Sequence, residues 1–307
     1  MSGIVLVNPH SGPEPPGDDD VAAHFPGHQV VDCEPDELAD RIQAALARDV
    51  DFVAVAGGDG TIRCAVQVLA GTDVPLLPIP AGTRNHFARE LGIEDLDAAG
   101  RAAADGRVER VDLGEVNGQR FVNNSSVGIY PRIVVTRESH ERRWPKGLAT
   151  MAAAWEQLRH GRRFQVTVDG RSYRAWMVFV GNGRYGEGLL RLNQRESLDE
   201  NTLDFRLARA DSPFARARIV FALLAGVLDR SPLLVQRETR EVELAIDRDA
   251  VEVALDGEVE RLESPLRYRS LPAALSVLVP SDAGAQTADA AAAADAGASA
   301  GAKIAER

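Results

Sequence analysis

The chain has 307 residues, of which 45% are hydrophobic and 26% are charged, a composition typical of soluble globular proteins and a length sufficient for two domains. Its formal net charge of −11 argues against nucleic acid as a general partner. The two cysteines, Cys33 and Cys64, are too few for a disulfide framework or a metal cluster, so we predict buried thiols in a cytoplasmic protein. No apolar run reaches the roughly 18 residues that span a bilayer, and no secretory signal is expected because the chain enters a strand directly.

The first part of the chain alternates predicted strands with predicted helices, which is the pattern of an α/β domain with a mostly parallel sheet. The predicted strands cover residues 3–7, 28–33, 51–56 and 75–79. The predicted helices cover residues 36–48, 61–70, 84–91 and 94–104, and a short helix is expected to begin at Asp18–Asp20. Open sheets of this kind bind ligands at the carboxyl ends of their strands.

Beyond Asp112 strand-like runs dominate, and most of them alternate apolar with polar residues as antiparallel strands do. They cover residues 119–124, 164–168, 173–180, 203–208, 241–246, 251–255 and 275–279, with helices predicted at 146–160 and 214–228. We therefore predict an α/β domain over residues 1–112, a β-rich sandwich domain over 113–280 and a disordered Ala/Gly/Asp tail over 281–307.

The most informative segment is Gly57-Gly58-Asp59-Gly60-Thr61, which joins the apolar strand 51–56 to an amphipathic helix. A glycine-rich turn at a helix N-terminus presents backbone N–H groups to phosphate. A carboxylate inside that turn would repel phosphate unless a cation lies between them. Asp59 therefore indicates a nucleotide bound together with a divalent metal ion.

Two more polar segments follow predicted strands at the same edge of the sheet. Asn8-Pro9-His10-Ser11-Gly12 follows the first strand, and Pro80–Arg89 follows the fourth. Turn formation explains the first of them, and helix capping by Thr83 and Asn85 explains the second. Three strand ends that converge on small and hydroxyl residues nevertheless predict a ligand site more specifically than any one turn does.

Two acidic segments in the rest of the chain have both a structural and a functional interpretation. Asp112 lies at the predicted domain junction, where a loop carboxylate is the plain interpretation. Asp256-Gly257-Glu258 follows an alternating strand. Asp-Gly is a hairpin signal, whereas two carboxylates that flank a glycine can provide a base and a group that orients it.

Two further patterns each have more than one interpretation. Gly181–Gly186 matches G-x-G-x-x-G, but no helical face follows it, so we predict a flexible cleft loop rather than a dinucleotide site. Residues 132–163 contain eight basic residues against three acidic ones. They predict either a packed helix with a solvated basic face or a contact with anionic lipid headgroups.

Together these segments occur in the order found in the diacylglycerol kinase catalytic-domain family, and the chain resembles its soluble bacterial lipid kinases from Ile4 to about Val279. It is similar more distantly to sphingosine kinases and NAD kinases. The resemblance implies a Rossmann-like first domain and ATP-dependent phosphorylation of a diacylglycerol-like lipid hydroxyl with Mg²⁺. It also implies a cytoplasmic protein that makes transient peripheral contact with an anionic membrane surface; a homodimer is left open.

The resemblance also implies roles for individual residues. Nucleotide contacts fall on Asn8, Pro9, His10, Ser11, Gly12, Gly57, Gly58, Asp59, Gly60, Thr61 and Thr83. Metal contacts fall on Asp59, Asp112 and, at a structural magnesium site over residues 197–202, Glu200. The catalytic base and its acidic partner fall on Asp256 and Glu258.

The chain departs from the family pattern at His86, where an aspartate is usual, at Cys33, near which threonine is usual, and at residues 198–201, which replace Asp-Asp-Gly. Two alternatives therefore stay open. One is a soluble-substrate kinase of the NAD kinase type, and the other is a catalytically weak homologue that binds nucleotide or lipid.

Overall fold

The computed structural model describes residues 2–12, 17–128, 163–185, 195, 198–211 and 231–281. The chain forms two compact units, one made of Met1–Arg110 together with the chain from Leu275, and the other of Val111–Ala274. The predicted helices at 146–160 and 214–228, basic residues 132–162 and tail residues 282–307 lie outside the described residues. No helix in the described ranges is long and apolar enough to cross a membrane.

The first unit is an α/β fold, as predicted. Its parallel strands are β1 (Gly3–Val7), β2 (Gln29–Asp32), β3 (Phe52–Gly57) and β4 (Leu76–Pro80). Its helices are α1 (Asp18–His24), α2 (Leu38–Leu46), α3 (Asp59–Leu69), α4 (His86–Glu90) and α5 (Leu96–Asp105). The strands pair in the order β4-β3-β1-β2. Every residue of β1 and β3 is buried, because helices cover both faces of a parallel sheet.

The strand order indicates the edge of this sheet at which a ligand would bind. From β1 the chain passes first to β2 on one side and then to β3 on the other, so the order reverses between β1 and β3. Ligands of open α/β sheets bind at the carboxyl ends of the strands beside such a reversal. The loops that leave β1 and β3 are the two glycine-containing segments at residues 8–12 and 57–61. The topology therefore supports the predicted location.

The second unit is β-rich and antiparallel, which confirms the predicted class. It begins within β5 (Arg107–Val116) and ends within β15 (Leu266–Val279). Between them lie β6 (Gln119–Phe121), β7 (Asn124–Gly128), β8 (Phe164–Val168), β9 (Arg171–Asn182), β10 (Leu203–Arg209), β11 (Leu234–Thr239), β12 (Glu241–Ile246), β13 (Ala250–Leu255) and β14 (Glu258–Glu263). In β12 buried and exposed residues alternate strictly, and the buried set joins one hydrophobic core.

Some elements differ from the sequence-based expectation. The predicted strand 119–124 is two strands, β6 and β7, and β5, β11 and β14 were not predicted. β14 (EVERLE) is an edge strand with mostly exposed side chains, so it lacks the alternation that identifies a half-buried strand. The end of β15 belongs to the first unit, where Val277 pairs with Leu76 of β4. The sequence contains no signal for that return.

Candidate active site

Asn8 fastens the loop after β1 to the helix after β3. Its side-chain nitrogen donates to Thr61 Oγ1 at 3.0 Å, and its side-chain oxygen accepts from the His10 amide at 2.9 Å. Asn8 itself is buried, so its side chain is partly shielded from water in both bonds. The predicted segments at residues 8–12 and 57–61 are therefore joined directly through side chains.

The loop after β4 packs against the same two loops through glycines. A Cβ on Gly82 would lie 2.5 Å from Gly58 Cα, which is closer than any real contact. Gly12 has φ +67°, and a Cβ there would collide with the Ala81 carbonyl oxygen. Only glycine allows backbones to approach this closely. All three predicted loops thus meet at one edge of the sheet.

Two side chains, Asp59 and Asn85, fix the loop after β4. The one that belongs to this loop, Asn85, does not cap α4. Asp59 Oδ1 accepts from the His86 amide, the first of α4, at 3.0 Å. Asn85 occupies the N-cap position with φ +51° but makes no side-chain bond to the helix. It accepts instead from Gly82 N at 2.8 Å and donates to Gly82 O at 2.7 Å. The prediction that Asn85 caps α4 through its side chain is wrong, because the tight Gly82 turn engages that side chain.

The N-terminus of α3 fits a phosphate group. The first helical bond runs from Ile62 N to Gly58 O at 3.0 Å, so the amides of Asp59, Gly60 and Thr61 precede the helix's own ladder. Ser11 is buried, and its hydroxyl has no hydrogen-bond partner among the described residues. Free amides at the positive end of a helix dipole, with an orphaned hydroxyl in the neighbouring loop, are suited to phosphate oxygens.

The N-terminus of α3 offers fewer suitable groups to Mg²⁺ than to phosphate. Within the described ranges, no group of three or more His, Cys, Asp or Glu side chains is arranged to hold a metal ion. Asp59 supplies one carboxylate at the three-loop site. Mg²⁺ bound with a nucleotide commonly uses one or two carboxylates and completes its shell with phosphate oxygens and water, so Asp59 fits a shared Mg²⁺–nucleotide site.

Two other residues predicted to contact the nucleotide lie at the surface. Thr83 and His10 are exposed, and the His10 ring lies 3.3 Å from Glu34.

Cys33 is buried after β2, and burial raises the pKa of its thiol. Burial likewise raises the pKa of the Cys64 thiol on α3, although Cys64 is only partly buried. Both cysteines are therefore protonated, unreactive side chains at neutral pH.

Asp112 lies inside β5 and is buried, so its interpretation as a loop carboxylate is wrong. Its Oδ1 accepts from Ala273 N at 2.7 Å, and its Oδ2 accepts from Asn201 N at 2.5 Å. The Asp112 amide in turn donates to Leu198 O at 2.8 Å. Asp112 thus binds two chain segments distant in sequence, and both of its carboxylate oxygens already hold backbone amides.

Glu200, the predicted ligand of a structural metal, is next to that contact and pairs with an arginine. Its carboxylate lies 3.7 Å from Arg184 Nε, and Arg184 also donates to Glu238 at 3.0 Å. The three side chains line a cavity of about 510 Å³ together with Asn201, Thr202, Thr239 and Arg240. A guanidinium that faces the carboxylate competes with a metal ion for it.

Asp256 occupies the turn of the β13–β14 hairpin and is held by the backbone. Leu255 pairs with Glu258, and Asp256 and Gly257 have φ of +50° and +100°, as a type I′ turn requires. Oδ2 accepts from Val122 N at 2.7 Å, and Oδ1 accepts from Asn123 N at 2.7 Å and Asn124 N at 3.0 Å. Both interpretations of this segment stay compatible, since the hairpin turn presents a carboxylate that three amides orient.

The glycine-rich segment 181–186 is not a flexible loop over its described residues. Gly181 and Asn182 end β9, and Asn182, Gly183 and Tyr185 are buried. A Cβ on Gly181 would collide with the Tyr185 ring. The first glycine is thus required for packing against an aromatic ring, a role that the G-x-G-x-x-G pattern does not reveal.

Comparison with known proteins gives the family. A family model described as the diacylglycerol kinase catalytic domain matches residues 2–116, and one described as the YegS C-terminal NAD kinase beta sandwich-like domain matches residues 126–279. The chain belongs to the diacylglycerol kinase family. A protein of Mycobacterium tuberculosis named "Diacylglycerol kinase" is 32% identical over 266 residues, which cover 82% of this chain and 84% of that relative.

Two other similarities agree with this assignment. A protein of Pseudomonas fluorescens named "Probable lipid kinase YegS-like" is 29% identical over 248 residues, which cover 78% of this chain and 81% of the relative. The crystal structure of a diacylglycerol kinase from Bacillus anthracis superposes with a TM-score of 0.64 at 21% identity, covering 92% of this chain and 98% of that one. This last similarity supports the fold alone.

Proposed function

We propose that this member of the diacylglycerol kinase family transfers the γ-phosphoryl group of ATP to the hydroxyl of a diacylglycerol-like lipid. The observation that carries the proposal is the meeting of three loops at the N-terminus of α3, where Asn8 bonds Thr61 and Asp59 bonds the first amide of α4. Phosphoryl transfer depends mainly on positioning and on neutralising charge, and this edge of the sheet provides both.

The roles of individual residues follow from their chemistry. The amides of residues 59–61 and the Ser11 hydroxyl bind phosphate oxygens, and Asp59 would hold Mg²⁺ directly or through a water molecule. A bound Mg²⁺ would offset the negative charge that develops during transfer. Asp256 accepts the proton of the lipid hydroxyl, with the nearby Glu258 as its acidic partner. Each oxygen of Asp112 accepts one backbone amide and keeps a second lone pair, with which it could join the metal network.

The decisive experiment offers several acceptors to the purified protein. It is incubated with γ-labelled ATP and Mg²⁺ in three reactions, which contain diacylglycerol vesicles, a total lipid extract or NAD. We expect a labelled lipid product that requires Mg²⁺ and disappears when EDTA is added. Labelled NAD phosphate without lipid product would decide for the NAD kinase alternative.

His86 supports a second candidate, a binding protein with little catalysis. A neutral imidazole at the start of α4 adds no negative charge where the family usually has an aspartate. Tight binding of Mg-ATP without transfer to any acceptor, and without rescue by His86→Asp, would favour this candidate. We expect instead that the wild-type protein is active and that His86→Asp lowers the Mg²⁺ concentration needed for half-maximal rate.

A further inference from the structure

Asn182 connects β5, which contains Asp112, to the Val122–Asn124 segment, whose amides bind the Asp256 carboxylate. Its side-chain nitrogen donates to Asp112 O and to Val122 O, both at 2.8 Å. Asn182 is 1% exposed, so both bonds form in a dry environment. One amide group therefore ties two carbonyls that are ten residues apart in the chain.

The Val122–Asn124 segment is held from several directions. Asn123 O accepts from Asn182 N at 2.8 Å and from the Tyr185 hydroxyl at 2.7 Å. Val122 O accepts a further bond from Arg195 at 2.7 Å. The carbonyls of the segment are thus fixed on one side while its amides donate to Asp256 on the other.

Stability alone does not explain the asparagine. Its side-chain oxygen is buried and has no hydrogen-bond partner among the described residues. A buried polar atom left unsatisfied costs free energy, and cores usually avoid it. Asn182 therefore contributes through its two donated bonds, which hold two backbone carbonyls in fixed positions.

We propose that Asn182 is a positioning residue: its side-chain amide fixes the Val122–Asn124 segment so that the three amides of that segment hold the Asp256 carboxylate in place for proton transfer. The inference rests on the proposed function for its catalytic part. Its structural part concerns only the order of the segment and can be measured without any substrate.

The test compares Asn182→Ala and Asn182→Asp with Asn117→Ala. Asn117 is the matched control because its side chain also donates to two backbone carbonyls, Glu263 O at 2.8 Å and Pro265 O at 3.1 Å, in an exposed turn. Tyr185→Phe serves as a mild second variant that keeps the buried ring and removes the hydroxyl that bonds to Asn123 O. Near-ultraviolet circular dichroism confirms that each variant is folded.

Two readouts are taken from each protein. In the Asn182 variants we expect hydrogen exchange of the amides at 122–124 to rise at least about 10-fold, because exchange requires these bonds to open. We also expect kcat to fall about 10- to 100-fold with an unchanged KM for ATP, the scale of a misplaced catalytic group. Tyr185→Phe should change both in the same direction by a smaller factor, and Asn117→Ala should change neither.

Each outcome decides a stated part of the inference. The structural part is overturned if the exchange of the amides at 122–124 is unchanged in the folded Asn182 variants. If the Asn182 variants do not fold, unchanged exchange in Tyr185→Phe overturns it. Raised exchange with unchanged kcat overturns the catalytic part. A wild-type protein that phosphorylates no acceptor refutes the proposed function and with it the catalytic part, whereas the exchange measurement still decides the structural part.

Discussion

At the scale of single residues, Asp256 is both a hairpin-turn residue and an oriented carboxylate, two roles that its sequence pattern predicts as alternatives. It is a turn residue with positive φ, and its carboxylate accepts three backbone amides. Hydrogen bonds from amides stabilise a carboxylate and fix its direction. A base fixed in this way loses little orientational freedom when the substrate hydroxyl arrives, which is the physical content of positioning.

Asp256→Asn should lower the rate of phosphoryl transfer at least about 10²-fold, the usual scale of general-base catalysis, without unfolding the protein. Asparagine tolerates positive φ and suits the type I′ turn, so the hairpin is retained, although its side-chain nitrogen cannot accept a bond from these amides as a carboxylate oxygen does. Asp169→Asn is the matched control, because Asp169 and Gly170 form the equivalent turn of β8–β9 with φ of +47° and +77°. Normal turnover by Asp256→Asn would refute the assignment of the base.

A buried ion pair offers a second test at this scale. Arg206 and Asp204 on β10 are essentially inaccessible, and the guanidinium contacts the carboxylate at 2.5 Å while also donating to Tyr185 O at 3.1 Å. Asp204→Asn removes the negative charge of Asp204 from beside a buried cation. We expect a loss of about 3–5 kcal/mol in the free energy of unfolding, measured in urea.

The control for that test is the pair at the end of the same strand. Arg209 and Asp211 have the same spacing but are about one-third exposed, and the hydrogen bond from Arg209 lowers the pKa of the Asp211 carboxyl. Asp211→Asn should cost at most about 1 kcal/mol because water screens the pair. Equal losses in the two variants would show that burial does not set the strength of these pairs.

At the scale of elements, the candidate nucleotide site depends on the close approach of the loops after β3 and β4. Gly82→Ala forces those loops apart, since its Cβ would lie 2.5 Å from Gly58 Cα. We expect the affinity for Mg-ATP, measured by titration calorimetry, to fall at least about 10-fold, because the loops and the α3 amides no longer bind phosphate together. Gly17→Ala, whose Cβ would meet only a side-chain oxygen at 3.7 Å, should bind normally.

The contact between α1 and α5 predicts a pH dependence of stability. His24 places its two ring nitrogens at 2.7 Å from Asp20 O and 2.8 Å from Asp97 Oδ1, and these bonds, the backbone one first, raise the pKa of the imidazole. The stabilisation is complete below the unfolded pKa of about 6.5 and is lost as pH rises through the higher folded value.

The test is urea unfolding of wild type and His24→Gln at pH 5.5 and pH 8.5. The wild-type protein should exceed the variant in stability by more at the lower pH, where the imidazolium donates both bonds. A difference that is the same at both pH values would contradict this account of the α1–α5 contact.

At the scale of the whole molecule, the net charge of −11 opposes adsorption to anionic membranes. A local basic surface would favour docking in spite of this net charge, and the basic excess at residues 132–163 is the candidate from sequence. Charge reversal at Arg142, Arg143 and Lys146, which lie outside the described residues, should weaken binding to anionic vesicles in a flotation assay. Raised salt should weaken wild-type binding in the same way.

Local patterns in the sequence were enough for the fold class and for the edge of the sheet at which the three loops meet. Apolar strands, helical periodicity and the glycines at 57–60 are properties of neighbouring residues, and parallel strands bring their carboxyl ends together by topology alone. The meeting of residues 8–12, 57–61 and 82–85 followed from that pattern. The roles of Asp256, Glu258 and Thr83 in the reaction stay predictions.

Only the tertiary structure decided which groups hold the acidic residues. The amides of Val122–Asn124 bind Asp256 across 132 to 134 positions of sequence, and those of Asn201 and Ala273 bind Asp112. Backbone amides are the same in every residue except proline, so no sequence pattern marks the ones that meet a carboxylate. Long-range pairing of strands creates these contacts, and side-chain periodicity contains no information about them.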